Sequence, residues 1–125
     1  MLVVDDHADL RAALRDALCE VGYTVSEAED GERGLAALAE LEFDAAVVDV
    51  RMPRLDGFGL LEQMRALGID CPIVLTSVVA DVLSRRRGTS LGAVAFHQKP
   101  FPLRALLADL ELAVAARGRN RAPAT

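Results

Sequence analysis

Short apolar runs alternate along the chain with longer segments in which apolar side chains recur three or four residues apart. The short runs are typical of strands buried in a sheet, and the longer segments predict amphipathic helices. The predicted strands are 1–4, 23–28, 43–49, 72–76 and 92–97. The predicted helices are about 10–21, 32–41, 58–67, 79–91 and 102–117. This alternation predicts a parallel α/β sheet covered by helices on both faces.

Residues with special backbone preferences mark several ends of the predicted helices. Asp9 is a candidate N-terminal cap for the first helix, and Gly22 is a candidate stop. Gly68 closes the third helix, and Pro102 opens the fifth at a position where proline is tolerated. Gly88 lies inside the fourth predicted helix and weakens that prediction, because glycine disfavours helix interiors.

The composition narrows the class of protein. The 125 residues predict one domain, and its core is aliphatic because 52% of the residues are hydrophobic and only 4% are aromatic. A net charge of −5 argues against a general nucleic-acid binder. No apolar run has the length of a membrane span and the first residues lack a basic region, so we expect a cytoplasmic protein without membrane contact.

The two cysteines and the two histidines are expected to occupy structural or solvent-exposed positions. Cys19 and Cys71 lack metal-binding or redox spacing and are expected to be small buried side chains. His7 is expected to face solvent. His97, in the fifth strand, is expected to make ordinary packing contacts.

Polar side chains interrupt the pattern where predicted strands end. Asp5 and Asp6 follow the first strand, Asp49 ends the third, Thr76 ends the fourth, and Lys99 follows the fifth. Because the carboxyl ends of parallel strands meet at one edge of a sheet, we expect these side chains to lie close together. Three carboxylates there repel one another, and Mg²⁺, which prefers oxygen ligands, relieves the repulsion. Lys99 then offers a positive point charge to an anion, and Thr76 offers a hydroxyl group that can donate a hydrogen bond to it.

The charges of these groups indicate what the site accepts. Three carboxylates, one Mg²⁺ and one lysine sum to about zero, so a phosphoryl group of about −1.5 to −2 is tolerated only with metal and lysine in place. Such a site suits phosphoryl transfer to a carboxylate, in which positioning and charge neutralisation provide most of the catalysis.

A series of short motifs follows one another in order along the chain. They are Val3-Val4-Asp5-Asp6, Asp49-Val50-Arg51-Met52-Pro53, Asp56-Gly57, Pro72-Ile73-Val74-Leu75-Thr76, Gly92-Ala93 and Lys99-Pro100-Phe101. Through these motifs the chain resembles the receiver domain of two-component response regulators. The resemblance implies a flavodoxin-like, doubly wound (βα)5 fold with a five-stranded parallel sheet of order 2-1-3-4-5. A receiver domain is expected over 1–117, followed by a basic tail or the start of a linker over 118–125.

The resemblance also implies a role for each polar residue of the site. Asp49 corresponds to the phosphoacceptor, and Thr76 and Lys99 correspond to residues that contact the phosphoryl oxygens. Of the acidic pair, Asp6 is the more direct metal ligand. The implied Mg²⁺ ligands are Asp5, Asp6, Asp49 and the main-chain carbonyl of Arg51.

The family further implies a switch and a set of partners. Phosphorylation recruits Thr76 and Lys99, and Phe96, at the position of the aromatic switch residue, turns into the vacated space. This remodels the face made by the fourth helix, fifth strand and fifth helix, which is also the candidate homodimer contact. The implied phosphoryl donor is a sensor histidine kinase or a phosphotransfer protein, and the signal passes to an output domain or partner protein. Direct binding of nucleic acid by this domain is not expected.

Other classes of protein share parts of this pattern. A haloacid-dehalogenase-type phosphatase needs a second aspartate where this chain has Arg51, so we expect no enzymatic turnover beyond the domain's own phosphorylation and dephosphorylation. A flavodoxin-like cofactor module needs a phosphate-binding loop where Asp5 and Asp6 would repel phosphate. The remaining alternative is a degenerate receiver domain that binds a partner without being phosphorylated.

Several positions depart from the usual receiver pattern. The interval between Thr76 and Lys99 is one residue longer than usual, and the arginines at 85–87 predict a solvated helix face. Arg51 and Val78 flank the expected path of an attacking water. We hypothesise that these two side chains alter the lifetime of the acyl phosphate.

Overall fold

Five short strands form one parallel sheet, as the alternation of the sequence predicts. The computed structural model describes residues 1–120, and the side chains as far as residue 117. The strands are β1 (Leu2–Val4), β2 (Ser26–Ala28), β3 (Ala46–Asp49), β4 (Ile73–Ser77) and β5 (Ala95–Gln98). Their order in the sheet is β2-β1-β3-β4-β5. The predicted flavodoxin-like order is therefore confirmed.

Helices follow the strands and cover both faces of the sheet. They are α1 (Ala8–Glu20), α2 (Gly31–Glu40), α3 (Gly57–Leu67), α4 (Val82–Ser90) and α5 (Leu103–Asn120). One face of the sheet shares a buried core with Leu38, Phe58 and Met64. The opposite face shares a second core, with Leu14 and Leu106 among its members. None of the helices described through residue 120 combines the length and apolar character needed to cross a membrane.

The first helix begins differently from the prediction. His7, not Asp9, is the N-terminal cap of α1, and its Nδ1 accepts the N–H of Leu10 at 3.5 Å. Asp9 lies in the first turn, where its carboxylate interacts favourably with the positive end of the helix dipole. Gly22 follows the helix with φ of +97°, a conformation that favours glycine and accounts for the predicted stop.

Several elements are shorter than their apolar patterns predict, because apolar residues outside a strand or helix also contact the core. Tyr23 precedes β2 and its N–H donates to the Leu18 carbonyl, which closes α1. Val79, predicted to start the fourth helix, instead donates its N–H to Ser77 Oγ, and Asp81 caps the helix two residues later. The fifth helix extends to Asn120, and residues 121–125 of the predicted tail lie outside the described part of the chain.

The two cysteines differ in burial. Cys19 is exposed on α1, so the prediction that it is buried was wrong. Cys71 is half-buried beside β4, and burial raises the pKa of its thiol to about 11. Both thiols are free.

Gly88 has a packing role that the sequence pattern did not reveal. It is buried in α4, and a Cβ there would lie 3.0 Å from Leu75 Cδ1 and 3.2 Å from Phe96 Cδ2. The missing side chain lets α4 approach β4 and β5 closely. The glycine is therefore compatible with the helix because it serves the contact between helix and sheet.

Replacing Gly88 with valine is expected to lower the free energy of unfolding by about 1.5 kcal/mol, because added methyl groups overpack a closed contact. Urea denaturation measures the change. Arg86→Val places the same side chain at an exposed position of α4 and should change stability by less than about 0.5 kcal/mol. Equal losses in the two variants would contradict the packing role.

Candidate functional site

Three carboxylates meet at the carboxyl edge of the sheet. Asp5 directly follows β1, Asp6 is its neighbour, and Asp49 is the last residue of β3. One oxygen from each lies within 4.8 Å of the others. Asp5 and Asp49 are buried, with exposed fractions of 2% and 5%, whereas Asp6 is exposed. The structure therefore brings together the three side chains that the sequence pattern grouped.

Lys99 lies between the two buried carboxylates. Its Nζ is 2.9 Å from Asp5 Oδ2 and 3.2 Å from Asp49 Oδ2. The main chain fixes the start of this side chain, because the Lys99 N–H donates to the Ser77 carbonyl just after β5. One ammonium thus balances part of the charge of two carboxylates that would otherwise repel each other.

Asp5 is held by two groups at the start of α1 besides the lysine. Its Oδ1 accepts the N–H of His7 at 2.8 Å, and its main-chain carbonyl accepts from the Arg11 guanidinium at 2.6 Å. The His7 side chain is exposed, as predicted. In the described structure His7 acts on the site through its main chain.

The clustering of charge alters two protonation equilibria. Burial, and then the neighbouring charge of Asp5, raise the pKa of Asp49 to about 6, against the lowering effect of Lys99 and of the Arg51 N–H. Burial lowers the pKa of Lys99, but its hydrogen bond to Asp5 and the charge of Asp49 outweigh burial, so that pKa lies above its usual value. The cluster thus disfavours the ionised form of Asp49 and favours the ionised form of Lys99.

Thr76 supplies a buried hydroxyl beside Asp49. The two residues are register partners in adjacent strands, and the Thr76 side chain is buried. Its Oγ1 has no hydrogen-bond partner among the described residues. Buried polar atoms are nearly always paired, so an unpaired hydroxyl at this edge indicates a place where a further polar group fits.

The loop after β3 closes over Asp49. The Gly57 N–H donates to the Val50 carbonyl at 2.8 Å, and a Cβ on Gly57 would lie 2.7 Å from the Asp49 carbonyl oxygen. Asp56 caps α3 by accepting the N–H of Gly59. Arg51 has an exposed side chain and contributes its main-chain N–H to the Asp49 carboxylate.

Phe96 lies on β5, which β4 separates from β3 and Asp49. It pairs in register with Leu75, and its ring is partly buried against Gly88. The Arg85 guanidinium carbon is 5.4 Å from the centre of that ring. The arginines of α4 are exposed, as predicted, but Arg87 also lies 4.6 Å from the centre of the Phe58 ring.

His97 has a specific partner, which the sequence analysis missed. Its Nε2 is 2.7 Å from Asp109 Oδ2 on α5, and its ring centre is 5.9 Å from that of Phe101. The prediction of ordinary packing was therefore incomplete. No local signal could have identified the contact, because twelve residues separate the pair and their elements meet only in the folded chain.

A doubly wound parallel sheet with polar side chains at the carboxyl ends of its strands defines a class of α/β domains that bind ligands at this edge. A sequence profile described as the response regulator receiver domain matches residues 1–111. The chain therefore belongs to the response regulator receiver domain family.

Curated relatives agree with this assignment. The response regulator MprA of Mycolicibacterium vanbaalenii is 43% identical over 110 residues, which are 88% of this chain and 48% of that protein. The MprA of Mycobacterium ulcerans is 44% identical over 110 residues, which are 88% of this chain and 47% of that protein. The chain spans about half the length of the curated relatives it matches.

Solved structures show the same fold. A receiver domain of Francisella response regulator 1452 superposes with a TM-score of 0.89 at 26% identity, covering 93% of this chain and 96% of that one. The chemotaxis protein CheY4 of Vibrio cholerae superposes with a TM-score of 0.83 at 30% identity, covering 90% and 95%. The flavodoxin-like fold predicted from the sequence is thus found in proteins of the same family.

Proposed function

We propose that this receiver domain accepts a phosphoryl group on Asp49 in a Mg²⁺-dependent reaction. The observation that carries the proposal is the position of Asp49 between a partly buried ammonium and a buried, unpaired hydroxyl. Lys99 Nζ lies 3.2 Å from its Oδ2, and Thr76 is its register partner. These groups are cationic or can donate hydrogen bonds, as a phosphoryl group on Asp49 requires.

The transfer follows from this arrangement. A carboxylate oxygen of Asp49 attacks phosphorus, and a new P–O bond forms as the bond between phosphorus and the donor breaks. The donor's leaving group keeps the electron pair of the broken bond. Lys99 offers positive charge to the phosphoryl oxygens, and the Thr76 hydroxyl can donate a hydrogen bond to one of them. No proton from Asp49 is needed, because the nucleophile is the ionised carboxylate.

The acidic cluster fits a hard divalent cation. Three carboxylates within 4.8 Å supply the oxygen ligands that Mg²⁺ prefers, and one of them is exposed, which leaves room for water ligands. Asp5, Asp6, Asp49 and the Arg51 carbonyl would hold the ion. When bound, it supplies positive charge that offsets the charge of the incoming phosphoryl group.

The consequence of phosphorylation is a change in the β4–α4 region. A phosphoryl group on Asp49 attracts the Thr76 hydroxyl and Lys99, at the ends of β4 and β5. Phe96 lies on β5, pairs in register with Leu75 of β4 and packs against Gly88 of α4, so its ring is placed to respond. We infer that the α4-β5-α5 face passes the signal to an output domain or partner protein, or to a second copy, and that a histidine kinase or phosphotransfer protein is the donor.

Intact mass after incubation with acetyl phosphate and Mg²⁺ tests the proposal. We expect one added phosphoryl group on the wild type, and none on Asp49→Asn or after chelation of the metal. Asp56→Asn, which changes a helix-capping aspartate nearby, should still be phosphorylated. Failure of the wild type to gain mass would favour a receiver fold that binds its partner without phosphorylation.

A further inference from the structure

Arg85 connects three parts of the switch region through one guanidinium. Its Nε donates to the Ala80 carbonyl at 3.1 Å, and an Nη donates to the Phe96 carbonyl at 3.2 Å. The guanidinium carbon is also 5.4 Å from the Phe96 ring centre. The side chain is exposed, yet it holds the loop before α4 and the main chain and ring of β5 in one arrangement.

The contacts of Arg85 involve the two parts of the molecule that move in the proposed switch, which are the β4–α4 loop and the Phe96 ring. Ala80 is four residues beyond Thr76, in the short loop between β4 and α4. Movement of the Thr76 hydroxyl toward a phosphoryl group displaces this loop, and with it the Ala80 carbonyl. Phe96 rests against Gly88 of the same helix, so motion of the ring also changes its distance from Arg85.

We propose that Arg85 is a positioning residue that holds Phe96 and the β4–α4 loop in the unphosphorylated arrangement and so opposes phosphorylation of Asp49. The proposal rests on the phosphoacceptor function and adds a residue that sets its equilibrium. A contact made in only one of two states biases the equilibrium toward that state. Loss of Arg85 therefore favours the arrangement that accepts the phosphoryl group.

The first measurement follows Phe96 without any phosphoryl donor. The chain has four phenylalanines, so ring-labelled phenylalanine gives few NMR signals, and Phe96→Leu identifies the signal of interest. In Arg85→Gln we expect the Phe96 ring signal to shift or broaden, because the cation leaves the ring face. Arg86→Gln, at the exposed neighbouring position, should leave that signal in place.

The second measurement is the rate of phosphorylation by acetyl phosphate. Arg85→Gln is expected to raise the rate roughly threefold, since exposed cation–π contacts are weak individually. Arg85→Lys keeps the charge but loses the planar fork, so it should also be faster than the wild type. In the Phe96→Leu background, Arg85→Gln should have less than half of its effect on the logarithm of the rate.

The outcomes separate the two proposals. If the wild type is not phosphorylated, the phosphoacceptor function fails, and the Phe96 signal alone then decides whether Arg85 holds the ring. An unchanged Phe96 signal in Arg85→Gln would overturn the positioning role. So would a slower rate in Arg85→Gln, or an equal effect with and without Phe96.

Discussion

Replacing Lys99 with methionine is expected to lower the free energy of unfolding of the metal-free protein by about 3 kcal/mol near neutral pH. The lysine separates Asp5 and Asp49, both of which are buried. Methionine preserves much of the side-chain volume but removes the cation, so two carboxylates are left facing each other. Removing one partner of a buried ion pair typically costs about 3–5 kcal/mol, and protonation of Asp49 limits the loss here.

Chemical denaturation in the presence of a chelator measures this loss. Lys99→Arg keeps the positive charge and should retain more than half of the stability that methionine loses. Addition of Mg²⁺ should stabilise Lys99→Met more than the wild type, because the variant has more uncompensated negative charge. A methionine variant as stable as the wild type would show that the Lys99 contacts contribute little to folding.

The same substitution separates the structural role of Lys99 from its proposed chemical role. Under conditions in which Lys99→Met is folded, we expect its phosphorylation rate with acetyl phosphate to fall at least about tenfold, since a charge that contacts the transferring group is lost. Circular dichroism verifies folding at the temperature of the assay. A folded variant with an unchanged rate would contradict the proposed contact between Lys99 and the phosphoryl group.

The convergence of the site could be predicted because it depends on topology alone. A parallel sheet brings the carboxyl ends of its strands to one edge, so residues that follow different strands meet there whatever the details of packing. Asp5, Asp49 and Lys99 are close for this reason. The strand order could be predicted through the family resemblance, since alternation of strands and helices does not choose among doubly wound orders.

The contacts around β5 could not be predicted, because they depend on how the helices pack. His97 pairs with Asp109 on α5, and Phe96 packs against Gly88 on α4. Glycine has a low helix propensity, so it destabilises a helix locally, and only the close approach of the sheet explains the presence of Gly88 in α4. Arg85 was likewise assigned to a solvated face, since its exposure could be predicted but its three contacts could not.

The capping of α1 shows a different limit of sequence reasoning. Asp9 has the more common capping side chain, but the chain enters the helix at His7, whose N–H is already bonded to Asp5. The site thus determines where the helix begins. Similarly, the expected start of α4 at Val79 is displaced because Ser77 binds the N–H of that residue.

Replacing Asp49 with asparagine is expected to stabilise the metal-free protein, by about 2 kcal/mol near pH 8. Folding raises the pKa of Asp49 from 3.8 to about 6, so the folded state binds its proton more tightly than the unfolded state. Below about pH 4 the group is protonated in both states and imposes no penalty. As the pH rises from about 4 to about 6, the unfolded chain releases this proton while the folded protein retains it, so stability is lost over this interval and no further above it. Asparagine does not ionise, so it avoids this loss.

The difference in free energy of unfolding between Asp49→Asn and the wild type should therefore increase from near zero at about pH 4 to a plateau above about pH 7. A pKa difference of about two units sets an upper bound of about 3 kcal/mol, and partial hydration of the cluster reduces it. Urea denaturation with a chelator at several pH values measures the difference, because the other titrating groups largely cancel between the two proteins. Asp70→Asn, at an exposed aspartate, should change stability by less than about 0.5 kcal/mol.

The direction of the stability change in Asp49→Asn indicates how the site works. Replacing a residue that had been selected for stability would be expected to destabilise the protein. Replacing Asp49 is instead expected to stabilise the protein, because the folded structure disfavours the charge of this carboxylate. With Mg²⁺ present, the wild type should be more stable than Asp49→Asn, since the ion binds the carboxylate cluster of the wild type more strongly than that of the variant. If Asp49→Asn is less stable than the wild type at high pH without metal, or if the difference does not depend on pH, then the Asp49 carboxylate is not strained in the folded state. The raised pKa of Asp49 would then no longer support its assignment as a functional rather than a structural group.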